Sequence, residues 1–182
     1  MEHNLSNEIV SVLIRGDLHP RGIAQTLGNN HTSIARKLND LLDGNVVDYR
    51  FEGKNKVYFL KRTIEARNAI IAAELHRQST VLKAYPLLRG IFYVVQESHD
   101  INLAIIFGSY AKGLAHAESD IDLFIETSSE KIKGRVEKTN SLLSAKIGKF
   151  EKDDLIAREM IKDHVIIKGI EIYLDRIGFL RR

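Results

Sequence analysis

Three short features of this 182-residue chain could do chemistry together: Gly108-Ser109, Lys112 and the pair Asp120-Ile121-Asp122. The run Ile101 to Phe107 reads as a buried strand, and a glycine placed straight after a strand lets the backbone come close to a ligand. The amides opening the next helix suit an anion, so the Gly-Ser turn reads as a phosphate seat. Residues 120–126 alternate strictly: Ile121, Leu123 and Ile125 point one way, and Asp120, Asp122, Phe124 and Glu126 the other. Period two therefore sets both aspartates on one face. Two carboxylates aimed at such a turn can hold a divalent cation while the turn holds the triphosphate that shares it. Nucleotidyl transfer requires that arrangement.

Gly108-Ser109 is followed by ten residues and then Asp-x-Asp, with Gly113 and Ser119 between. In these features the segment resembles the minimal nucleotidyltransferases of the DNA polymerase beta-like superfamily, over about residues 86–182. The resemblance implies Mg²⁺ or Mn²⁺ on Asp120 and Asp122 as catalytic residues. It also implies an NTP, ATP first, on Gly108, Ser109 and Lys112, and transfer of a nucleoside monophosphate to a hydroxyl acceptor. The plainer alternative is an N-capping Ser109 with two solvated aspartates, which leaves the spacing unexplained. Lys112 reads equally as a phosphate contact or an exposed helix lysine, and His116 as loop surface.

One part of the family pattern is absent. The resemblance implies a third acid on the following strand, to complete the metal site and accept the proton of the attacking hydroxyl. A helix over about 129–143 and a strand over Ser144 to Phe150 lead to Glu151-Lys152-Asp153-Asp154 at the next helix start. Aligned on that start, the third acid falls near Lys146. A lysine there would repel a second cation, by about 4 kcal/mol per unit charge at 4 Å and an effective dielectric near 20. Glu126 and Glu151 are the alternatives for the acid, and Asp153 and Asp154 read as helix N-terminal charge.

The elements ahead of this region have a different pattern. Leu5, Ile9, Val12 and Leu13 give a helix over about 5–15. A second helix starts beside Pro20 and stops at Gly28, and a third runs from about His31 to Leu42. From Val46 the period becomes two, with strands on either side of Glu52-Gly53-Lys54-Asn55, a hairpin. Three helices and a hairpin resemble a winged helix-turn-helix over residues 1–60. That resemblance implies a third helix in the DNA major groove and a wing on the backbone. Thr32, Ser33, Arg36 and Lys37 on the helix, and Arg50, Lys54 and Lys56 around the wing turn, are the DNA-binding candidates. Residues 61–85 read as a connecting helix with an apolar stripe of Ile64, Ile71, Leu75 and Leu82.

Composition bounds these readings. With 44% hydrophobic and 28% charged residues the chain must fold around a core, and Lys+Arg 27 against Asp+Glu 24 gives a net charge of only +3. Residues 1–60 carry seven basic and seven acidic side chains, so DNA affinity has to come from their placement. Zero cysteines exclude disulfides, thiol catalysis and Cys-ligated zinc. No apolar run approaches the roughly 20 residues of a membrane span. The expected protein is α+β and cytoplasmic, with a homodimer possible: a winged helix, a connecting helix, then a small mixed sheet with flanking helices. Its alternative function is a DNA-binding transcriptional regulator whose degenerate transferase domain senses nucleotide or dimerises. An antitoxin modifying a partner toxin is a third reading, for which a fused winged helix is not the usual form.

Overall fold

The computed structural model describes residues 5–179, so the outermost residues of the expected ranges 1–60 and 86–182 lie outside it. The chain divides into two compact units, and the division falls between His76 and Arg77.

In the first unit, α1 (Leu5–Leu13), α2 (Pro20–Leu27) and α3 (His31–Asp43) precede β1 (Val47–Glu52) and β2 (Asn55–Leu60). Local chemistry sets the helix boundaries. Pro20 opens α2, where its missing N–H costs nothing, and Gly28 closes it at φ 58. Asn30 caps α3 by accepting from the Ser33 amide at 2.7 Å. Ile9, Ile23, Ile34 and Leu38 from the three helices have no exposed surface. The hairpin is tighter than the sequence suggests. Glu52 pairs with Asn55, leaving a two-residue turn with Gly53 at φ 62, the position where a hairpin turn favours glycine. Leu18 bridges to Tyr58 in antiparallel sense, adding a third short segment beside the wing. This is a winged helix-turn-helix arrangement. The helix α4 (Ile64–Ala84) follows, and the division between units lies within it.

In the second unit a 3₁₀ turn at Pro86–Leu88 leads to α5 (Arg89–Glu97), β3 (Ala104–Phe107) and the single turn α6 (Gly108–Ala111). The chain continues through β4 (Ile121–Glu126), α7 (Glu130–Glu137), β5 (Leu143–Gly148), α8 (Leu155–Lys162), β6 (Val165–Lys168) and α9 (Ile170–Arg176). The four strands are ordered β5-β4-β3-β6, with β3 antiparallel to β4 and β6, and β4 parallel to β5. The fold class is α+β with a small mixed sheet.

Pairing follows the alternation. Ile121, Leu123 and Ile125 join Ile91, Phe92 and Val95 of α5 in one buried cluster. On the opposite face Phe124 meets Phe150 edge-on at 6.0 Å, and Phe150 meets Tyr173 of α9 at 5.7 Å.

Three expectations need correction. The strand expected from Ile101 begins at Ala104, and the backbone at Asn102 instead packs against Gly169 so tightly that a Cβ there would collide with it. The helix expected over 129–143 ends at Glu137, because Thr139 and Asn140 turn the chain and the Asn140 side chain accepts from the Leu142 amide at 2.9 Å. The third strand accordingly runs over 143–148 rather than 144–150.

Candidate functional site

The site is built where β3 ends and β4 begins. Phe107 pairs across the sheet with Asp122, so the chain leaving β3 at Gly108 starts beside the second aspartate. Gly108 has φ 69, and a Cβ placed on it would come within 2.5 Å of Asp122 Oδ2. The carboxylate thus fills the space that a side chain would take. Only glycine meets both demands. Gly113, at φ 70, turns the chain out of α6 with open space around it. Ser109 sits inside the turn and its carbonyl accepts from the Leu114 amide at 3.0 Å. The capping position belongs to Phe107, which makes no side-chain bond, so Ser109 is not the cap of the plainer reading.

Ser119 sets the approach to Asp120. It is 9% exposed, its amide donates to the His116 carbonyl at 3.0 Å, and its hydroxyl accepts from the His116 amide at 2.9 Å. That double clasp closes the loop directly before the first aspartate. Asp120 is exposed and Asp122 half-buried.

Burial pushes the Asp122 carboxyl above its usual range. The Lys146 charge pulls it back, the Glu159 and Asp120 charges push it further up, and Lys112 pulls it down. Charges of both signs therefore converge on one carboxylate.

Lys146 lies on β5. In the parallel pairing of β4 with β5, Asp122 lies beside Ser144 and Phe124 beside Lys146, which puts Lys146 on the aspartate face. Its ammonium lies 5.1 Å from the centre of the Phe107 ring, a cation–π contact. The alternative acids stand elsewhere. Glu126 is four residues further along β4, roughly 13 Å at strand rise, where it accepts from the Phe150 amide at 3.2 Å and pairs with Arg176 at 3.0 Å. Glu151 pairs with Lys149 at 3.4 Å, beyond the far end of β5.

Sequence reasoning missed one acid. Glu159 of α8 pairs with Lys112 at 3.1 Å. α8 begins only after the Glu151 to Asp154 segment, and no periodicity at Glu159 ties it to a turn forty-seven residues earlier.

The donor set fits one hard cation. Mg²⁺ commonly uses one or two carboxylates, with substrate phosphates and water completing its shell. Asp120 and Asp122 supply two, and a cation held there would offset the cost of burying the Asp122 charge and its repulsion from Asp120. Among the described residues no group of three acidic or imidazole side chains stands close enough to hold a metal.

In the first unit, Thr32 and Arg36 are exposed on α3, while Ser33 and Lys37 are half-buried, Lys37 paired with Asp40 at 3.0 Å. Lys54 and Lys56 are exposed at the wing, with Lys56 lying 3.9 Å from the Tyr49 ring centre. Arg50 differs. It is held by Asp17 and by Glu52, and those two carboxylates raise its pKa. Among the described residues no helix is long and apolar enough to cross a membrane.

Residues 91–176 match the family model described as Polymerase beta, Nucleotidyltransferase. No curated protein matches the chain. Among solved structures, the chain is similar to the NMR structure of a homodimeric winged helix-turn-helix DNA-binding domain from Mycobacterium bovis, from a possible ArsR-family transcriptional regulator. Identity is 21% over 45% of this chain and 72% of that one, with a TM-score of 0.35. The winged arrangement of residues 5–60 rests on its own elements.

Proposed function

We propose, from the premise that residues 91–176 are a polymerase beta-type nucleotidyltransferase domain, that the second unit transfers a nucleoside monophosphate from an NTP to a hydroxyl acceptor. Gly108, Ser109 and Lys112 receive the β and γ phosphates, and ATP is the first candidate. Asp120 and Asp122 would hold Mg²⁺ or Mn²⁺. Bound there, the cation would neutralise charge on the triphosphate oxygens and orient the α-phosphate. The chain's own part is positional: the Ser119 clasp aims Asp120, and the Gly108 backbone leaves room for Asp122 against the phosphate turn. The acceptor oxygen bonds the α-phosphorus in line as pyrophosphate leaves. The observation that carries this reading is the fit of Asp122 Oδ2 into the space where Gly108 lacks a side chain.

In the same reading the first unit binds duplex DNA, with the exposed face of α3 in the major groove and the Gly53 hairpin as wing, as a monomer or homodimer in the cytoplasm. Arg36, Lys54 and Lys56 supply the phosphate contacts, and Thr32, Ser33 and Lys37 the rest of the α3 surface.

Lys146 favours a second reading, in which the transferase site binds nucleotide without turning it over and the chain is a DNA-binding regulator. Pyrophosphate release from the four NTPs, with Mg²⁺ or Mn²⁺ and a pool of hydroxyl acceptors, separates the two. Release by wild type supports the enzyme. Release confined to Lys146→Asp supports the regulator, and none from either variant contradicts the transferase reading.

A further inference from the structure

Glu159 stands outside the Gly-Ser to Asp-x-Asp motif, yet three observations tie it to the site. α8 packs against β3, and Glu159 reaches back from it to Lys112, the one lysine in the expected phosphate seat, at 3.1 Å. Its charge acts on Asp122 alongside that of Asp120. And β5, where a third carboxylate is expected, presents Ser144 and Lys146 instead. The pair Lys112–Glu159 is exposed, with side chains 39% and 45% accessible. Pairs of this kind are weak, so an incoming polyanion can take the lysine from the carboxylate at little cost.

We infer that Glu159 is an exchangeable partner of Lys112: the empty site holds the lysine on Glu159, and a triphosphate takes Lys112 and frees Glu159 to join Asp120 and Asp122 as the third carboxylate that β5 lacks. The inference rests on the nucleotide-binding reading above and deepens it. It makes Glu159 a positioning residue in the empty protein and a member of the cation site in the loaded one.

The exchange predicts opposite effects of one substitution under two conditions. In EDTA, Glu159→Gln leaves Lys112 without its competitor and removes a negative charge, so ATP binds more tightly. The gain should be a few-fold, at most about fivefold for an exposed pair. It should shrink when Glu159→Gln is made in a Lys112→Ala background, because the partner is already gone. With Mg²⁺ present the sign reverses, and Glu159→Gln binds ATP more weakly than wild type because one carboxylate is missing. Isothermal titration of ATP into the full chain reads all four proteins in both conditions. Equal affinity of wild type and Glu159→Gln in EDTA overturns the exchange, and so does a tightening that persists unchanged with Mg²⁺. Failure of wild type to bind ATP in either condition overturns the nucleotide-binding reading itself, and the exchange with it.

Discussion

The two units place their charges differently. On the first, pairs form between surface neighbours: Arg50 with Asp17 and Glu52, and Lys37 with Asp40 one helical turn away. Such pairs contribute little to stability. They leave Arg36, Lys54 and Lys56 presented on α3 and the wing. On the second, Asp120 just before β4, Asp122 on β4, Lys146 from β5, Lys112 after α6 and Glu159 from α8 all act at one place, and Asp122 is half-buried there. A stable fold does not need charged groups from four elements around a half-buried carboxylate. Perturbed ionisation of a half-buried carboxylate among several charges is enriched at sites of chemistry. The first unit spreads its cations over a surface, and the second gathers charge around a point; the proposed function assigns a long polyanion to the former and a small one to the latter.

The sharpest way to break this contrast is a methyl group at Gly108. Gly108→Ala must adopt φ 69 and also push Asp122 aside, whereas Gly113→Ala meets φ 70 in open space. Both should lose roughly 1–2 kcal/mol of stability to left-handed backbone strain. Only Gly108→Ala should abolish metal-dependent triphosphate binding. Thermal unfolding combined with ATP titration of the two variants checks it, and equal loss of binding would remove the role given to the Gly108–Asp122 contact.

A smaller effect sharpens the surface side. Arg36→Ala should weaken DNA binding and shallow its salt slope by about one unit. Arg50→Ala should leave the slope unchanged, since Asp17 and Glu52 already hold that charge. Fluorescence anisotropy over a salt series distinguishes them.

The smallest expected effect concerns stability against pH. The Asp122 pKa is raised in the folded protein, chiefly by burial, so the fold binds its proton more tightly than the unfolded chain does. The native carboxyl therefore disfavours folding once it ionises, and stability is lost as pH rises from the unfolded carboxylate value through the folded one. Asp122→Asn should raise Tm at pH 7, and the gain should fade on acidification through that window. A Tm difference independent of pH would show that burial does not act on the charge.

The turn and the aspartate pair were legible in the sequence because they are local: a strand, a glycine and a period of two fix them without knowledge of the rest of the chain. The same holds for the helix ends at Pro20, Gly28 and His31. Boundaries slipped where a long-range contact decided. β3 starts at Ala104, beyond the point where Gly169 packs on Asn102, and the sequence reading predicts neither β6 nor α9, although Val165 to Ile167 is an apolar run bounded by His164 and Lys168. The face that Lys146 shares with the aspartates follows from the parallel register of β5 on β4, which is not written in either segment alone. Glu159 was not legible either. Its link to the site is a contact between α8 and the end of α6, and nothing in the spacing of either segment encodes it.

The central claim, that Asp120 and Asp122 hold a divalent cation shared with a triphosphate beside Gly108, is tested most directly by Mn²⁺ titration followed by electron paramagnetic resonance. Wild type and the Asp120→Asn, Asp122→Asn double variant are compared with and without a non-hydrolysable ATP analogue. The account predicts that wild type binds one Mn²⁺, that the analogue tightens it, and that the double variant loses both the ion and the tightening. Mn²⁺ binding by the double variant equal to wild type, with the analogue present, would contradict it.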